Sequence, residues 1–189
     1  MSFSYDIQPC LNVLNNGGII LYPTDTVWGI GCDAGNEEAV EKIFRIKKRN
    51  EEKSMIILLA DEKDIIQYTE DPDPLIFDYI KGVHKPTTVI YERARNLAKN
   101  LINKDGSIGI RIVNDPFCKE LILQFGKAIV STSSNISGYL APAFFEDIDI
   151  EIKNGVDYIV QHRQDDLTPA SPSAVIKVAL DGTIQVLRP

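Results

Sequence analysis

Residues 131 to 138 read S-T-S-S-N-I-S-G and follow the apolar run Ala128-Ile129-Val130. The run has the character of a short buried strand, and it delivers hydroxyl groups, an amide and a glycine to one edge of a sheet. Open α/β sheets bind their ligands at such strand ends. The same residue types also build ordinary turns by bonding their own backbone, so the stretch alone leaves both readings open. A second segment repeats the pattern. Ile19 to Tyr22 is apolar and runs into P-T-D-T-V-W-G-I-G-C-D, where Pro23 ends the strand and Thr24, Asp25 and Thr26 form a polar bend.

Outward from these two points the chain alternates helices and strands. Asp6 is read as the cap of a first helix, with Pro9 in its first turn, Ile7, Cys10, Leu11 and Leu14 on one face, and Gly17-Gly18 at its end. Asn36 caps a second helix whose buried stripe is Ala39, Val40, Ile43 and Phe44. Lys47, Lys48 and Arg49 form its last turn. Lys47 and Arg49 lie about 200° apart on an ideal helix, so they face one ligand only if the helix ends or unwinds between them. Met55 to Leu59 reads as a strand, Asp61 caps a short helix with Ile65 and Ile66, and Pro74 opens another. Thr87 to Tyr91 and Ser107 to Val113 read as strands, with a short helical piece over Leu97 to Ile102 between them. Arg111 falls inside an apolar strand, where its charge needs either a core carboxylate or an anionic ligand. Asp115-Pro116 starts a helix that Gly126 stops. Tyr139 to Phe145 is a loop, Tyr158 to Val160 a strand, and Gln161 to Pro172 a polar loop. The chain closes on a hairpin, Ser173 to Val178 and Thr183 to Leu187 around Asp181-Gly182. This order predicts one α/β domain over residues 1–189 with a mixed, twisted open sheet.

With 189 residues and 44% hydrophobic content, the chain can bury a substantial core. Its N-terminus has no basic segment followed by an apolar one, and no apolar run approaches 18 residues, so a cytoplasmic location without a membrane span is expected. Cys10, Cys32, Cys118, His84 and His162 show no metal-ligand or disulfide spacing; reduced buried thiols are expected. Gly29, Gly31 and Gly35 miss the dinucleotide fingerprint by one position, and no phosphate-loop motif occurs.

Net charge is −7, which argues against a surface that grips nucleic acid throughout. The charge is uneven. Between Glu41 and Lys53 six basic residues (Lys42, Arg45, Lys47, Lys48, Arg49, Lys53) face three acids, leaving −10 on the remainder. Lys47, Arg49 and Lys53 beside a strand start could clamp an anion, and a solvated helix end reads equally well from the residues.

Several of these stretches occur together in one family. P-T-D-T-V-W-G-I-G-C at 23–32, the K-x-R of Lys47 and Arg49 with Lys53 beyond, G-I-R at 109–111, S-S-N-I-S-G at 133–138 and P-S-A-V-I at 172–176 resemble the YrdC-like family of threonylcarbamoyl-AMP synthases. The resemblance runs in family order from residue 23 to Arg188. It implies a single α/β domain with a positively lined concave face. It also implies a reaction in which L-threonine, bicarbonate and ATP, the last with Mg²⁺, give threonylcarbamoyl-AMP and pyrophosphate, with downstream threonylcarbamoyl transferase proteins completing the modification of tRNA. By the same resemblance Thr26, Arg111, Ser133 and Ser173 fall where members contact threonine. Arg49, Lys53, Ser107, Asn135 and Arg188 fall where they contact ATP, and Lys47 is the other cation of K-x-R. The chain departs from the pattern at His84 to Thr88, near Leu58, near Ala143, and at Ala174 beside Ser173. Its end at Pro189 leaves the second domain of longer members unexpected here.

The residues fit this chemistry without the family. Attack of a carbamate on the α-phosphorus builds negative charge that positioned Lys and Arg groups offset, with Mg²⁺ arriving on the triphosphate. No residue is assigned as acid or base, and no protein metal ligands are assigned. The alternative is a tRNA or double-stranded RNA binding module that tracks phosphates with the basic segment, which the acidic remainder opposes. A carbamoyl-handling domain serving another acceptor is a third reading.

Overall fold

Strands buried on both faces read as unbroken apolar runs, and alternate residues then serve two cores. In the computed structural model, which describes residues 3–48, 55–70, 72, 74–83, 85–178 and 183–189, Ile20 and Tyr22 pack on one side of the sheet and Ile19 and Leu21 on the other. Among the described residues the strands are β1 (Ile20–Tyr22), β2 (Gly29–Gly31), β3 (Ile56–Leu59), β4 (Thr87–Tyr91), β5 (Ile108–Ile112), β6 (Ile129–Ser133), β7 (Tyr158–Ile159), β8 (Ala174–Val178) and β9 (Ile184–Arg188). They form one mixed sheet in the order β7-β1-β2-β6-β3-β5-β4-β8-β9. β1/β7, β3/β5 and β4/β8 are parallel and the other neighbours antiparallel.

On one face α1 (Ser4–Asn15) and α5 (Pro116–Phe125) lay Ile7, Cys10, Leu14, Phe117, Leu121 and Phe125 against Ile20, Tyr22, Leu58 and Ile129. On the other, α2 (Glu37–Ile46) brings Ala39, Val40, Ile43 and Phe44 against Leu21, Ile30, Ile57 and Val130. The expected caps hold: Asn36 Oδ1 accepts from Ala39 N at 3.0 Å, and the Asp115 side chain accepts from Cys118 N at 2.8 Å. Gly126 ends α5 in the left-handed region at φ 72°. All three cysteines are buried and free, and burial pushes the Cys10 thiol up to about 12.

The structure corrects several sequence expectations. α1 starts at Ser4, so Asp6 lies inside it, and its buried carboxylate accepts from Tyr158 OH (2.7 Å), Gln161 N (3.0 Å) and His162 N (3.0 Å). A buried carboxylate with three donors is worth more to the fold than a solvated cap. α2 ends at Ile46, one turn earlier than read, and Lys48 turns left-handed at φ 49°. The chain thus leaves the helix by Lys48. The helical segment over 97–102 shrinks to one 3₁₀ turn, Lys99–Leu101. α6 (Ile150–Gly155), after α3 (Ile65–Tyr68) and α4 (Pro74–Gly82), was not expected. Nor was β2, since glycines read as turns. Asp181-Gly182, the expected hairpin turn, lies outside the described residues, while its arms β8 and β9 pair antiparallel.

β2 is glycine-rich because β1 and β6 approach it closely. A Cβ on Gly31 would run into the Val130 carbonyl oxygen and stand 2.8 Å from Tyr22 Cε1. Gly31→Ala is expected to destabilise the fold by about 1 to 3 kcal/mol through overpacking. Gly82→Ala, whose Cβ meets nothing within 4 Å, should change stability little. Urea unfolding of the two variants checks this, and equal midpoints would refute it.

The His162 ring lies between Phe3 and Phe117, with centroids 5.4 and 6.0 Å away. Burial there lowers its pKa below the ordinary imidazole value. The unfolded chain, with an imidazole near pH ~6.5, therefore takes up the proton first on acidification. Stability should fall as pH drops through that value, and the loss is complete once the folded ring protonates. Melting temperatures followed from about pH 7.5 to 5.5 should show this slope in the wild type and a flatter one in His162→Phe. Equal slopes would remove His162 from the account.

Candidate functional site

Strand register assembles the site. Ser131, Ile56 and Gly109 stand in one row across β6, β3 and β5, so they share a face, and Ser133 and Arg111 lie two residues along on that same face. It is the face that α1 and α5 cover elsewhere. Where those helices stop, a cavity of about 190 Å³ opens, lined by Thr26, Val27 and Gly29, by Met55 and Ile56, by Arg111, by Ser131 to Ser133, and by Pro172, Ser173 and Arg188. All four residues aligned with threonine contacts line it, and so does Arg188, aligned with ATP.

Arg111 is 4% exposed. Its Nη2 lies 3.1 Å from Asp25 Oδ1, an ion pair whose angle makes no hydrogen bond, and 3.4 Å from Thr24 Oγ1. Its Nε has no protein partner. Of the two expectations for this charge, the core carboxylate is present, and the residue also lines the cavity. Arg188 donates from Nε to Ser173 O (2.9 Å) and from Nη2 to Ser173 Oγ (3.3 Å). Burial first and the Arg111 charge second lower its pKa. Among the described residues that line this cavity the charged groups are the guanidiniums of Arg111, which Asp25 partly neutralises, and Arg188.

The bend at 23–26 is built for rigidity. Thr24 Oγ1 contacts Thr26 Oγ1 (2.9 Å), donates to Val27 O (2.9 Å) and accepts from Thr26 N (3.0 Å). Asp25 Oδ2 accepts from Asn114 N at 3.1 Å. On the far wall Thr88 Oγ1 contacts Ser173 Oγ at 2.8 Å, so a hydroxyl from β4 sits beside Ser173 although Ala174 offers none.

Lys47 is 1% exposed at the end of α2. Its ammonium donates to Ser133 O and to Asn135 O (2.7 Å), and its carbonyl accepts from Ser137 N (2.8 Å). The lysine thus pins the loop after β6 from inside. Asn135 accepts from Ser133 Oγ (2.5 Å) and donates to Tyr139 O (2.7 Å). Ser107 stands before β5, outside the lining; its hydroxyl donates to Asp105 Oδ1 (2.6 Å) and accepts from Asn103 Nδ2 (3.0 Å). Arg49 and Lys53 lie outside the described residues. Other cations of the basic run meet protein partners: Arg45 pairs with Glu41, Lys48 with Glu151, and Lys42 donates to Gly17 O.

A family model described as "Telomere recombination" matches residues 12–189. The chain belongs to the Sua5/YciO/YrdC family. A threonylcarbamoyl-AMP synthase of Pseudoalteromonas translucida (strain TAC 125) is 30% identical to this family member over 187 residues, covering 97% of this chain and 98% of its own. One from Saccharophagus degradans is 35% identical over 136 residues, 71% of each chain. The structure of P. abyssi Sua5 complexed with L-threonine superposes with a TM-score of 0.86 at 20% identity, covering 98% of this chain and 54% of that one. E. coli YciO gives 0.80 at 22%, covering 97% and 88%. At those identities the superpositions establish the fold, a single domain with a mixed, twisted sheet as expected.

Sequence reasoning missed Thr88, the ion-pair role of Asp25, and Arg163. Asp25 lies in the P-T-D-T bend just after β1, and an acid at that polar strand end is the signal that could have been matched to Arg111. Arg163 sits in a polar loop and carries no local signal. Among the described residues no group of three His, Cys, Asp or Glu side chains is placed to hold a metal, and no helix is long and apolar enough to cross a membrane.

Proposed function

We propose that this family member is an L-threonylcarbamoyladenylate synthase, a nucleotidyltransferase that converts L-threonine, bicarbonate and ATP to threonylcarbamoyl-AMP and pyrophosphate for threonylcarbamoyl-adenosine formation in tRNA. The observation that carries the reading is the cavity itself, in which, among the described residues, two guanidiniums and several hydroxyls converge with no carboxylate in the lining. Its 190 Å³ falls below the ~300 to 1,000 Å³ usual for drug-sized ligands, which suits an amino acid. Arg111 takes the threonine carboxylate, to which a planar fork is matched. Thr26, Ser133 and Ser173 supply donors and acceptors for the amine and hydroxyl. The relatives named threonylcarbamoyl-AMP synthase support the same assignment.

ATP then lies beyond the cavity, along the 133–138 loop, contacted by Ser107, Asn135 and Arg188; the family resemblance gives Arg49 and Lys53 the same role. Lys47 acts there by shaping the loop. Threonine's amine attacks the bicarbonate carbon and water leaves, giving a carbamate; a carbamate oxygen attacks the α-phosphorus and pyrophosphate leaves. Positioning and fixed positive charge carry the rate, and no side chain is assigned as acid or base. The described residues do not make a cage for Mg²⁺, which enters on the nucleotide's phosphates and neutralises part of their charge. The product is a reactive mixed anhydride, so threonylcarbamoyl transferase proteins must consume it. We place the reaction in the cytoplasm.

Pyrophosphate release from ATP is expected to require threonine and bicarbonate together, because the attacking group is made from both. An enzyme-coupled pyrophosphate assay with each omitted in turn checks this. Equal release without threonine would overturn the assignment.

A further inference from the structure

Arg163 lies outside the cavity lining and bonds the 24–26 bend in one wall and Asp166, on the loop that leads to the other. Residues 161 and 162 are held from behind by the buried Asp6 carboxylate, and Arg163 follows in the left-handed region at φ 66°. Its Nη1 donates to Thr24 O (3.1 Å) and to Asp115 Oδ2 (3.0 Å), while Nε donates to Asp166 Oδ2 (3.0 Å). The Thr24 carbonyl belongs to the bend whose hydroxyl touches Thr26 and Arg111. Asp166 begins the loop that returns to Pro172 and Ser173 in the opposite wall. Asp115 holds the start of α5 through Cys118 N. Thr24 lies 139 residues away in sequence, so the side chain ties the 162–166 turn to the bend and to the start of α5, which Asn114 N and Asp25 Oδ2 already join to each other.

We infer that Arg163 is a positioning residue for the threonine cavity, setting the spacing between the 24–26 bend and the 172–173 wall without touching the substrate. The inference rests on the functional reading above. A lysine in its place keeps the charge near Asp115 and Asp166, and a single ammonium cannot reproduce the guanidinium's fork to the Thr24 carbonyl and both carboxylates. Misplacing a wall by a fraction of an ångström weakens threonine binding and leaves the nucleotide region by the 133–138 loop intact.

The test compares wild type, Arg163→Lys, Arg163→Ala and a control, Lys127→Ala, which breaks the Asp33 pair at the other end of β6. Threonine affinity is read by calorimetry, KM for threonine and for ATP by pyrophosphate release, and stability by melting. Arg163→Lys should raise the threonine Kd and KM by roughly 10-fold at near wild-type melting temperature, with ATP KM within about twofold. Arg163→Ala should raise them further, and Lys127→Ala should lower stability without changing the threonine values. Unchanged threonine affinity in both Arg163 variants, or a parallel rise of both KM values that tracks melting temperature, would overturn the inference and leave the function standing. A wild-type protein that binds no threonine would overturn both.

Discussion

Replacing Arg111 by lysine raises the KM for threonine by roughly 10- to 100-fold and leaves the KM for ATP within about twofold, because each charge-assisted bond lost is worth ~1.5 to 3 kcal/mol. The argument starts from burial. Arg111 is 4% exposed in the middle of a sheet, and only part of its donor set is used, by Asp25 and Thr24. Its Nε has no protein partner. A substrate carboxylate in the cavity meets the part of the guanidinium that lines it, where a planar fork is matched to two oxygens. Lysine keeps the charge beside Asp25 and loses the planar fork. Arg111→Ala goes further: it strands the Asp25 carboxylate, whose side chain is 10% exposed, and should cost about 3 to 5 kcal/mol of stability as well. Rates measured over a threonine series at saturating ATP, and the reverse, separate the two substrates. A loss confined to ATP would reverse the placement of the substrates.

Lys47→Met should be the most damaging change outside the cavity lining. The buried ammonium bonds the Ser133 and Asn135 carbonyls, and a thioether leaves both without that donor. Ser133 O keeps Asn135 N at 3.0 Å, so the orphaned Asn135 carbonyl sets the expected loss at about 1 to 3 kcal/mol. The charge also sits at the C-terminal, negative end of α2, which favours it there. With the loop released, Ser133 no longer holds its place in the cavity wall, and kcat/KM should fall by about 10² to 10³, the scale set by losing one preorganised contact. Denaturant unfolding and initial rates at a temperature where the variant stays folded check both parts. Wild-type stability and rate together would show that Lys47 has no such role.

Local chemistry explains what was readable. The Asp115-Pro116 start and Gly126 stop of α5 are carried by neighbouring residues, and β4 matches its apolar run from Thr87 to Tyr91. The hydroxyl-rich end of β6, the P-T-D-T bend and Arg111 each looked unusual by themselves. That Ser133, Arg111 and Ser173 share one cavity depends on strand register, which the residues did not disclose. Other features were hidden for the same reason. β2 is a strand because β1 and β6 leave no room for side chains at Gly31. Asp6 turned from cap to buried anchor because its partners lie more than 150 residues away. Arg163 owes its role to a positive φ and to distant contacts, neither visible in a polar loop.

The central claim is that this cavity feeds threonine to carbamoylation and adenylation. Incubation of the protein with ATP, Mg²⁺, L-threonine and ¹³C-bicarbonate, followed by mass spectrometry of the adenylates, tests it most directly. The account predicts a threonylcarbamoyl-AMP that carries the labelled carbon and disappears when threonine is withheld. An adenylate without the label, or no adenylate while ATP is consumed, would contradict it.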